Sequence, residues 1–401
     1  MILGVNIQNF DVFADDTIGL MIGDSAQYAG TAPSERGIRL RNLNALIGRN
    51  NTGKSAFIRA LSFVKRCILT DVGKASTTDD RPGFMNLLVD KEKPAYFRIF
   101  FRIMDPVTKK SDYLQYELTI GPSAQGSPLI ENETLLASVK KEDGSIVVEE
   151  VFTNSSEARV VSDDRITALS VLGRLNGSDE PIKLLFNEIN GWFFCAFSAE
   201  EASDYYAAGN APGGHKHLNS EGSNVGNVLD YIKSLGDDTY NQLMDEINSK
   251  IPTLRKKRKN LPTNLQGSPE KLFKYLLLLR DPEPKSTIFI ETPDRDLYHD
   301  MVDVLADDMR EFTLRHPYSQ IIFSTHNPYI VETMSPKEIW VFSREDEEDY
   351  ESADVQIRCA GSDPVVMALT EQGVGMGAIW YGGHLDQGSS EYDDEGMNNA
   401  H

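Results

Sequence analysis

The octapeptide GRNNTGKS, Gly48-Arg49-Asn50-Asn51-Thr52-Gly53-Lys54-Ser55, constrains this chain more than any other stretch. It fits G-x-x-x-x-G-K-S, follows the apolar run LNALI (Leu43–Ile47) and precedes KSAFIRALSFVKRCIL (Lys54–Leu69). In that second segment Phe57, Ile58, Leu61, Val64 and Ile68 recur at helical spacing, so the order strand, glycine-rich turn, helix is expected. Gly48 and Gly53 let the backbone curl so that its N–H groups face a phosphate, and the start of the helix adds favourable partial charge. Lys54 then reaches the β- and γ-phosphates of a nucleotide, and the Ser55 hydroxyl is a Mg²⁺ ligand. The expected phosphate cradle is Gly48 to Ala56. A glycine-rich turn that only caps a helix requires neither all four fixed positions nor both flanks.

The bulk properties admit such a site in a large globular protein. The 401 residues suffice for one big or two ordinary domains, and 40% hydrophobic with 25% charged content is ordinary for them. No apolar run approaches the roughly 20 residues of a membrane helix, and MILGVNIQNF has no basic and then apolar leader pattern. Cys67, Cys195 and Cys359 are few and widely spaced, which fits a reduced cytoplasm better than a disulfide frame or a zinc site. With a net charge of −21 the chain does not attract nucleic acid through its average field. One dense basic run exists, RKKRK at Arg255–Lys259. It reads either as a solvated loop or as a contact for a phosphate backbone or an acidic partner. No aromatic residue interleaves with it, so stacking on single strands is not indicated. The acidic, Gly/Ser-rich end from Leu385 reads as disordered.

Along the chain, ILGVNIQNF and GIRLRNLNALIG read as strands around a polar loop. AYFRIFFRIMD and DYLQYELTIG read as an antiparallel pair, with short strands and turns continuing to Val161. A helix near Ile166–Leu175, a strand at GWFFCAFS and two amphipathic helices, SNVGNVLDYIKSL and DTYNQLMDEINSKI, follow. SPEKLFKYLLLLRD is a helix with Ser268 as its cap. Then TIFIE, LYHDMVDVLADDMREFTLRH, QIIFSTH and PYIVETM alternate strand and helix, which argues for a parallel α/β sheet. IWVFSRED and ADVQIRCA close a β-rich end, and Trp192, Trp340 and Trp380 are expected in the core. No sustained heptads appear, which excludes a long coiled-coil arm between the halves. Glu291 ends one apolar strand, and His326 ends another where open parallel sheets place ligand groups. Alone, His326 reads as a surface histidine beside a start capped by Asn327. Beside a phosphate loop and an acid-ended strand, a hydrogen bond to a γ-phosphate is the better reading.

Taken together, GRNNTGKS, TIFIETPDRDLYH and IIFSTHNPYIVETM resemble the ABC-type AAA ATPases of the OLD/SMC-like group. VNIQNF, SEGSNVGNVL and LTEQGVGMGAIWYGG support the resemblance, which spans roughly residues 1–385. It implies an α/β, ABC-ATPase-like head with a RecA-like α/β lobe, a β-rich antiparallel lobe and a small helical insertion. The implied division is 1–161 (phosphate loop and β-rich part), 162–264 (mostly helical insertion), 265–385 (the second ABC lobe) and a 386–401 tail. It also implies that two heads sandwich ATP and Mg²⁺, so that a homo-oligomer, at least a dimer, is expected. Gly267 and Ser268 stand where such heads present a signature loop to a partner's γ-phosphate, in NLQGSPEK rather than Leu-Ser-Gly-Gly. The family usually has Asp-Glu-Pro followed by an acidic residue. Here Glu291-Thr292-Pro293-Asp294 puts Glu291 at the Mg²⁺-supporting position and Thr292 at the water-activating glutamate. A hydroxyl is a poor base near pH 7, so binding should survive and hydrolysis should be slow unless Asp294, His326 or a partner's residue substitutes.

Three functions compete on this reading. The first is an ATP-dependent oligomeric switch that controls a separate effector, such as a nuclease or toxin, in anti-phage defence. The residues after His326 are too few for the nuclease domain of OLD proteins. The second is a DNA-dependent ATPase of repair or recombination; the net charge and Thr292 stand against it. The third, a small-molecule kinase, lacks an evident acceptor site and lid.

Overall fold

The computed structural model describes residues 1–20, 38–77, 83–104, 111–140, 146–198, 214, 216–252, 266–344 and 354–385. Its strands are β1 (Ile2–Phe10), β2 (Phe13–Gly19), β3 (Leu43–Ile47), β4 (Ala95–Met104), β5 (Ser111–Pro122), β6 (Pro128–Lys140), β7 (Ile146–Ser155), β8 (Trp192–Cys195), β9 (Thr287–Glu291), β10 (Gln320–Ser324), β11 (Ile339–Arg344) and β12 (Val355–Cys359). Its helices are α1 (Lys54–Leu69), α2 (Val72–Ala75), α3 (Ala168–Leu172), α4 (Glu180–Asn190), α5 (Val225–Leu235), α6 (Asp237–Lys250), α7 (Ser268–Leu278), α8 (His299–Arg315), α9 (Pro364–Glu371) and α10 (Met376–Tyr381).

Two six-stranded sheets result, in the orders β2-β1-β4-β5-β6-β7 and β12-β11-β3-β10-β9-β8. The first is antiparallel throughout, and the second is parallel except for its β11–β12 edge pair. Sequence pattern explains the difference. β3, β10 and the body of β9 are buried at every position, as central parallel strands covered on both faces must be. β4 alternates over most of its length, as a strand with one covered face does. The α/β class with one β-rich and one parallel lobe is the architecture expected from the sequence.

The packing is layered. α1 lies between the sheets, where Phe57, Leu61 and Phe63 share a core with Phe10 and Phe97 of the first sheet and Phe289, Ile322 and Phe342 of the second. Rings of Phe10 and Phe63 approach to 4.8 Å and those of Phe10 and Phe97 to 5.0 Å. The alternate residues of the same central strands, Ile288, Ile290, Ile321 and Phe323, face a second core with α5, α7 and α8. α7 is buried at every residue from Glu270 to Leu278, and its Glu270–Lys274 ion pair, at 3.1 Å, is enclosed with it.

Several local expectations change. Residues up to 161 form long strands, β6 and β7, rather than short ones, and β2 completes a hairpin the sequence did not announce. The helix expected at Ile166–Leu175 is only α3, and the PYIVETM helix shortens to a 3₁₀ turn at Pro328–Val331. Glu332 explains the latter: its carboxylate accepts from Ala378 N at 3.1 Å, so α10 seats against the turn. A side chain at Gly375 would strike Glu332, and one at Gly377 would meet the Pro328 carbonyl as well. Ser268 is not the cap of α7; Gly267, at φ 68°, precedes it without a side-chain cap, and Ser268 is the first helical residue. Trp192 and Trp340 are in the core, whereas Trp380 is half-buried. Residues 1–161 supply all of the first sheet and also β3, while β8, from the mostly helical 162–264 segment, pairs with β9. Arg255–Lys259, Asn264, most of the acidic run after Arg344 and the 386–401 tail lie outside the described residues.

Gln320 joins the sheets. Fully buried at the start of β10, it accepts from Ile2 N at 2.9 Å and donates to Ile2 O at 2.9 Å and Arg41 O at 2.7 Å. Its amide therefore completes a peptide-like ladder between β1 and β10. Gln320→Leu should strand these backbone groups and cost about 2–4 kcal/mol in urea denaturation. A loss well below about 1 kcal/mol would mean that the backbone finds other partners.

Candidate functional site

The loop after β3 owes its shape to three positive-φ residues. Gly48 has φ 139°, Asn51 61° and Gly53 102°. At Gly48 a Cβ would stand 2.1 Å from the Phe342 carbonyl of β11, so only glycine fits. Asn tolerates the left-handed region at Asn51. Gly53 leads into α1 with no side-chain cap on the first turn. Thr52 Oγ1 closes the loop by donating to Arg49 O at 2.9 Å. Arg49 and Asn50 are exposed, Ser55 is half-buried on the first turn of α1, and Ala56 is buried behind it.

Lys54 is the electrostatic anomaly of this loop. Only 5% exposed, its ammonium donates to Gly48 O at 2.9 Å and Arg49 O at 2.5 Å, and lies 3.3 Å from Thr52 Oγ1. Among the described residues no carboxylate forms an ion pair with it. Burial pushes its pKa down to about 8.

Register brings the other candidates to the same edge. Ser324 of β10 pairs with Leu46 of β3 on one side and Glu291 of β9 on the other. The carboxyl ends of the three strands therefore lie level, with the His326 strand in the middle. Glu291 is exposed at the end of β9. Thr292 turns away at φ 43°, its N–H held by Ser324 O at 3.0 Å and Ser324 Oγ at 3.2 Å. A positive φ on a β-branched residue is strained. Past Ser324, Thr325 N donates to Leu46 O at 3.1 Å, and its hydroxyl donates to Asp294 Oδ1 at 2.7 Å. The same Oγ1 accepts from Asn327 N at 2.9 Å, and Asn327 caps the following 3₁₀ turn.

The charges interleave. His326 is exposed just past the end of β10; what desolvation it has and the Lys54 ammonium lower its pKa, while Asp294 opposes them. Burial raises the Asp294 carboxyl, against Thr325, Lys271 and His326. Lys271 of α7, buried and with its pKa lowered by that burial, donates to Arg295 O at 2.7 Å. Gly267 and Ser268 do not join the Lys54 cluster. They meet the far end of the same turn, where the Ser268 hydroxyl donates to Asp296 O. Thr325, Ser324 and Lys271 were not singled out in the sequence. The two hydroxyls are hidden inside the IIFSTH strand end, and Lys271 looks like any helix-face lysine; the only signal was the company of His326 and Ser268.

Residues 43–332 match the family described as "AAA domain, putative AbiEii toxin, Type IV TA system". The chain belongs to this AAA family. It is thus of the NTPase type, which implies nucleotide binding, typically with Mg²⁺. No curated protein matches the sequence. Among solved structures it is similar to the SMC head domain from Thermotoga maritima, at 13% identity over 89% of this chain and 98% of that one, TM-score 0.42. It is also similar to an Smc head bound to the C-winged helix domain of ScpA, at 11% identity over 90% and 99%, TM-score 0.47. A third is an Smc head with an extended coiled coil, bound to the C-terminal domain of ScpA and derived from Pyrococcus furiosus, at 10% identity over 92% and 98%, TM-score 0.42. No helix among the described residues of this AAA protein is long and apolar enough to cross a membrane.

Thr292→Asn should relieve the strained backbone, because Asn occupies the left-handed region more readily, and raise stability by up to about 1 kcal/mol. Urea denaturation reads the difference. A less stable variant would show that the Thr292 methyl or hydroxyl makes contacts worth more than the strain.

Proposed function

We propose that this AAA protein is an ATP-dependent switch that binds Mg²⁺-ATP at Gly48–Ala56, hydrolyses it slowly and controls a separate effector. The observation that carries the reading is Lys54: a buried ammonium surrounded by neutral loop oxygens. A β,γ-phosphate supplies the counter-charge that the fold withholds, and the uncapped N–H groups of α1 add to it. Ser55 and Glu291 offer hard oxygen donors suited to Mg²⁺, which would share them with phosphate oxygens. Among the described residues no group of three or more His, Cys, Asp or Glu could hold a metal by itself, consistent with a site completed by the nucleotide. When bound, the ion would neutralise phosphate charge. His326 follows Thr325, whose N–H donates to Leu46 O just before the phosphate loop, so a terminal phosphate held in that loop would lie near it.

Thr292 supplies no general base, so the ATP-bound state is long-lived in this reading. Gly267 and Ser268 open α7 outside the Lys54 hydrogen-bond cluster, and in a homo-oligomer they would meet a second copy's phosphates. An effector such as a toxin or nuclease, in a defence setting of OLD-like type, draws support from the toxin–antitoxin wording of the family description.

Lys54→Ala should abolish ATP binding in equilibrium titration while the protein stays folded; an unchanged affinity would sink the nucleotide-switch reading. Thr292→Glu should raise turnover by about 10²-fold or more, since it places a carboxylate where a base is missing. Wild-type turnover of several per second with no gain in the variant would move the base elsewhere. ATP with Mg²⁺ should shift wild type to a dimer or larger in light scattering, and Ser268→Arg should prevent the shift. A monomer in both conditions would rule out the assembly.

A further inference from the structure

We propose that Arg295 is an arginine that one copy of this chain extends to the γ-phosphate held in the loop of a second copy, where its guanidinium promotes hydrolysis. The inference deepens the nucleotide-switch reading and rests on it. Thr292 leaves the usual base position with a hydroxyl, so turnover has to come from stabilising the charge on the phosphates. Arg295 lies on the turn between β9 and α8, and that turn has two sides. On the strand side, Thr292 N donates to Ser324 O at 3.0 Å, and the Asp294 carboxylate accepts from the Thr325 hydroxyl at 2.7 Å. On the α7 side, Lys271 Nζ donates to Arg295 O at 2.7 Å, and the Ser268 hydroxyl donates to Asp296 O. Arg295 therefore sits with the start of α7, the element that meets a second copy's phosphates in the homo-oligomer.

The backbone of Arg295 is fixed while its side chain faces solvent. Its N–H donates to Thr292 O at 3.1 Å, and Thr292 and Asp296 hold φ values of 43° and 63° on either side of it. The side chain is 76% exposed, and among the described residues its only ion pair is a 4.0 Å contact with the neighbouring, exposed Asp296. Such a pair contributes little and yields readily to a triphosphate. Arginine stays charged at every working pH, and its planar fork donates to two phosphate oxygens at once. In the step itself the water oxygen bonds to the γ-phosphorus and the bond from that phosphorus to the β,γ-bridging oxygen breaks. ADP leaves with the electron pair. Both water protons stay on the released phosphate, one of them passed to a γ-oxygen, so the protein supplies no base. The guanidinium meets the negative charge that grows on the bridging and γ-oxygens.

The test follows turnover of Mg²⁺-ATP by the full chain, with nucleotide titration and light scattering alongside. Arg295→Ala should bind ATP and assemble as wild type does, while kcat falls about 10³-fold. Arg295→Lys, which keeps the charge and loses the fork, should recover only a small part of that loss. Wild-type turnover per copy should rise with protein concentration as copies meet, and Arg295→Ala should stay low throughout. Lys54→Ala is inactive by itself but still carries Arg295. Added in excess to Arg295→Ala, it should restore most of the lost turnover, because the arginine is supplied from the other copy. The inference fails if Arg295→Ala keeps wild-type kcat, if added Lys54→Ala restores nothing, or if wild type assembles around ATP without turning it over. Those outcomes leave ATP binding and assembly standing. A wild type that does not bind ATP, or stays monomeric with it, would remove the reading beneath.

Discussion

The buried ammonium of Lys54 organises this molecule. Among the described residues its close partners are carbonyl and hydroxyl oxygens inside the fold, which is a costly arrangement for a protein to maintain. The fold keeps it by over-determining the loop around it. β11 presses the Phe342 carbonyl against Gly48, Thr52 ties back to Arg49, and α1 is locked between two sheets by Phe57, Leu61 and Phe63. An anionic ligand is what turns that cost into affinity.

Legibility followed local rules. GRNNTGKS needs glycine at a backbone position that only glycine can occupy and a lysine at the first turn of a helix; both constraints are local and both stand in the sequence. The continuous apolar runs LNALI, TIFIE and QIIFS likewise identify central parallel strands, because burial on both faces leaves no room for alternation. Their order was not readable. That β10 would lie between β3 and β9, bringing the end of the His326 strand level with those of Ile47 and Glu291, is set by tertiary packing and not by any local pattern.

The errors have physical causes too. Ser268 next to Pro269 has the composition of a cap, yet its hydroxyl is taken by Asp296 O across a tertiary contact, and Gly267 serves instead. PYIVETM has helical spacing, but Glu332 gives its carboxylate to the start of α10, and the glycines at 375 and 377 that allow this approach lie more than forty residues downstream. Tertiary partners overrode local propensity in both places. The hydrogen-bonding of Thr325 was hidden for the same reason.

The Thr292–Asp296 turn shows how the site and α7 are connected. Two of its residues, Thr292 at φ 43° and Asp296 at φ 63°, occupy the left-handed region without being glycine. Such a turn persists only where its surroundings hold it. From one side Ser324 binds Thr292 N and Thr325 binds Asp294; from the other Lys271 binds Arg295 O and Ser268 binds Asp296 O. The turn is thus gripped at both ends by the strand that carries His326 and by the helix that opens at Gly267. Ser268 is one of the grips on a strained segment whose Asp294 carboxylate is bonded to Thr325, just past the end of β10. The start of α7 and the strand that carries His326 are thereby joined by a path of a few hydrogen bonds.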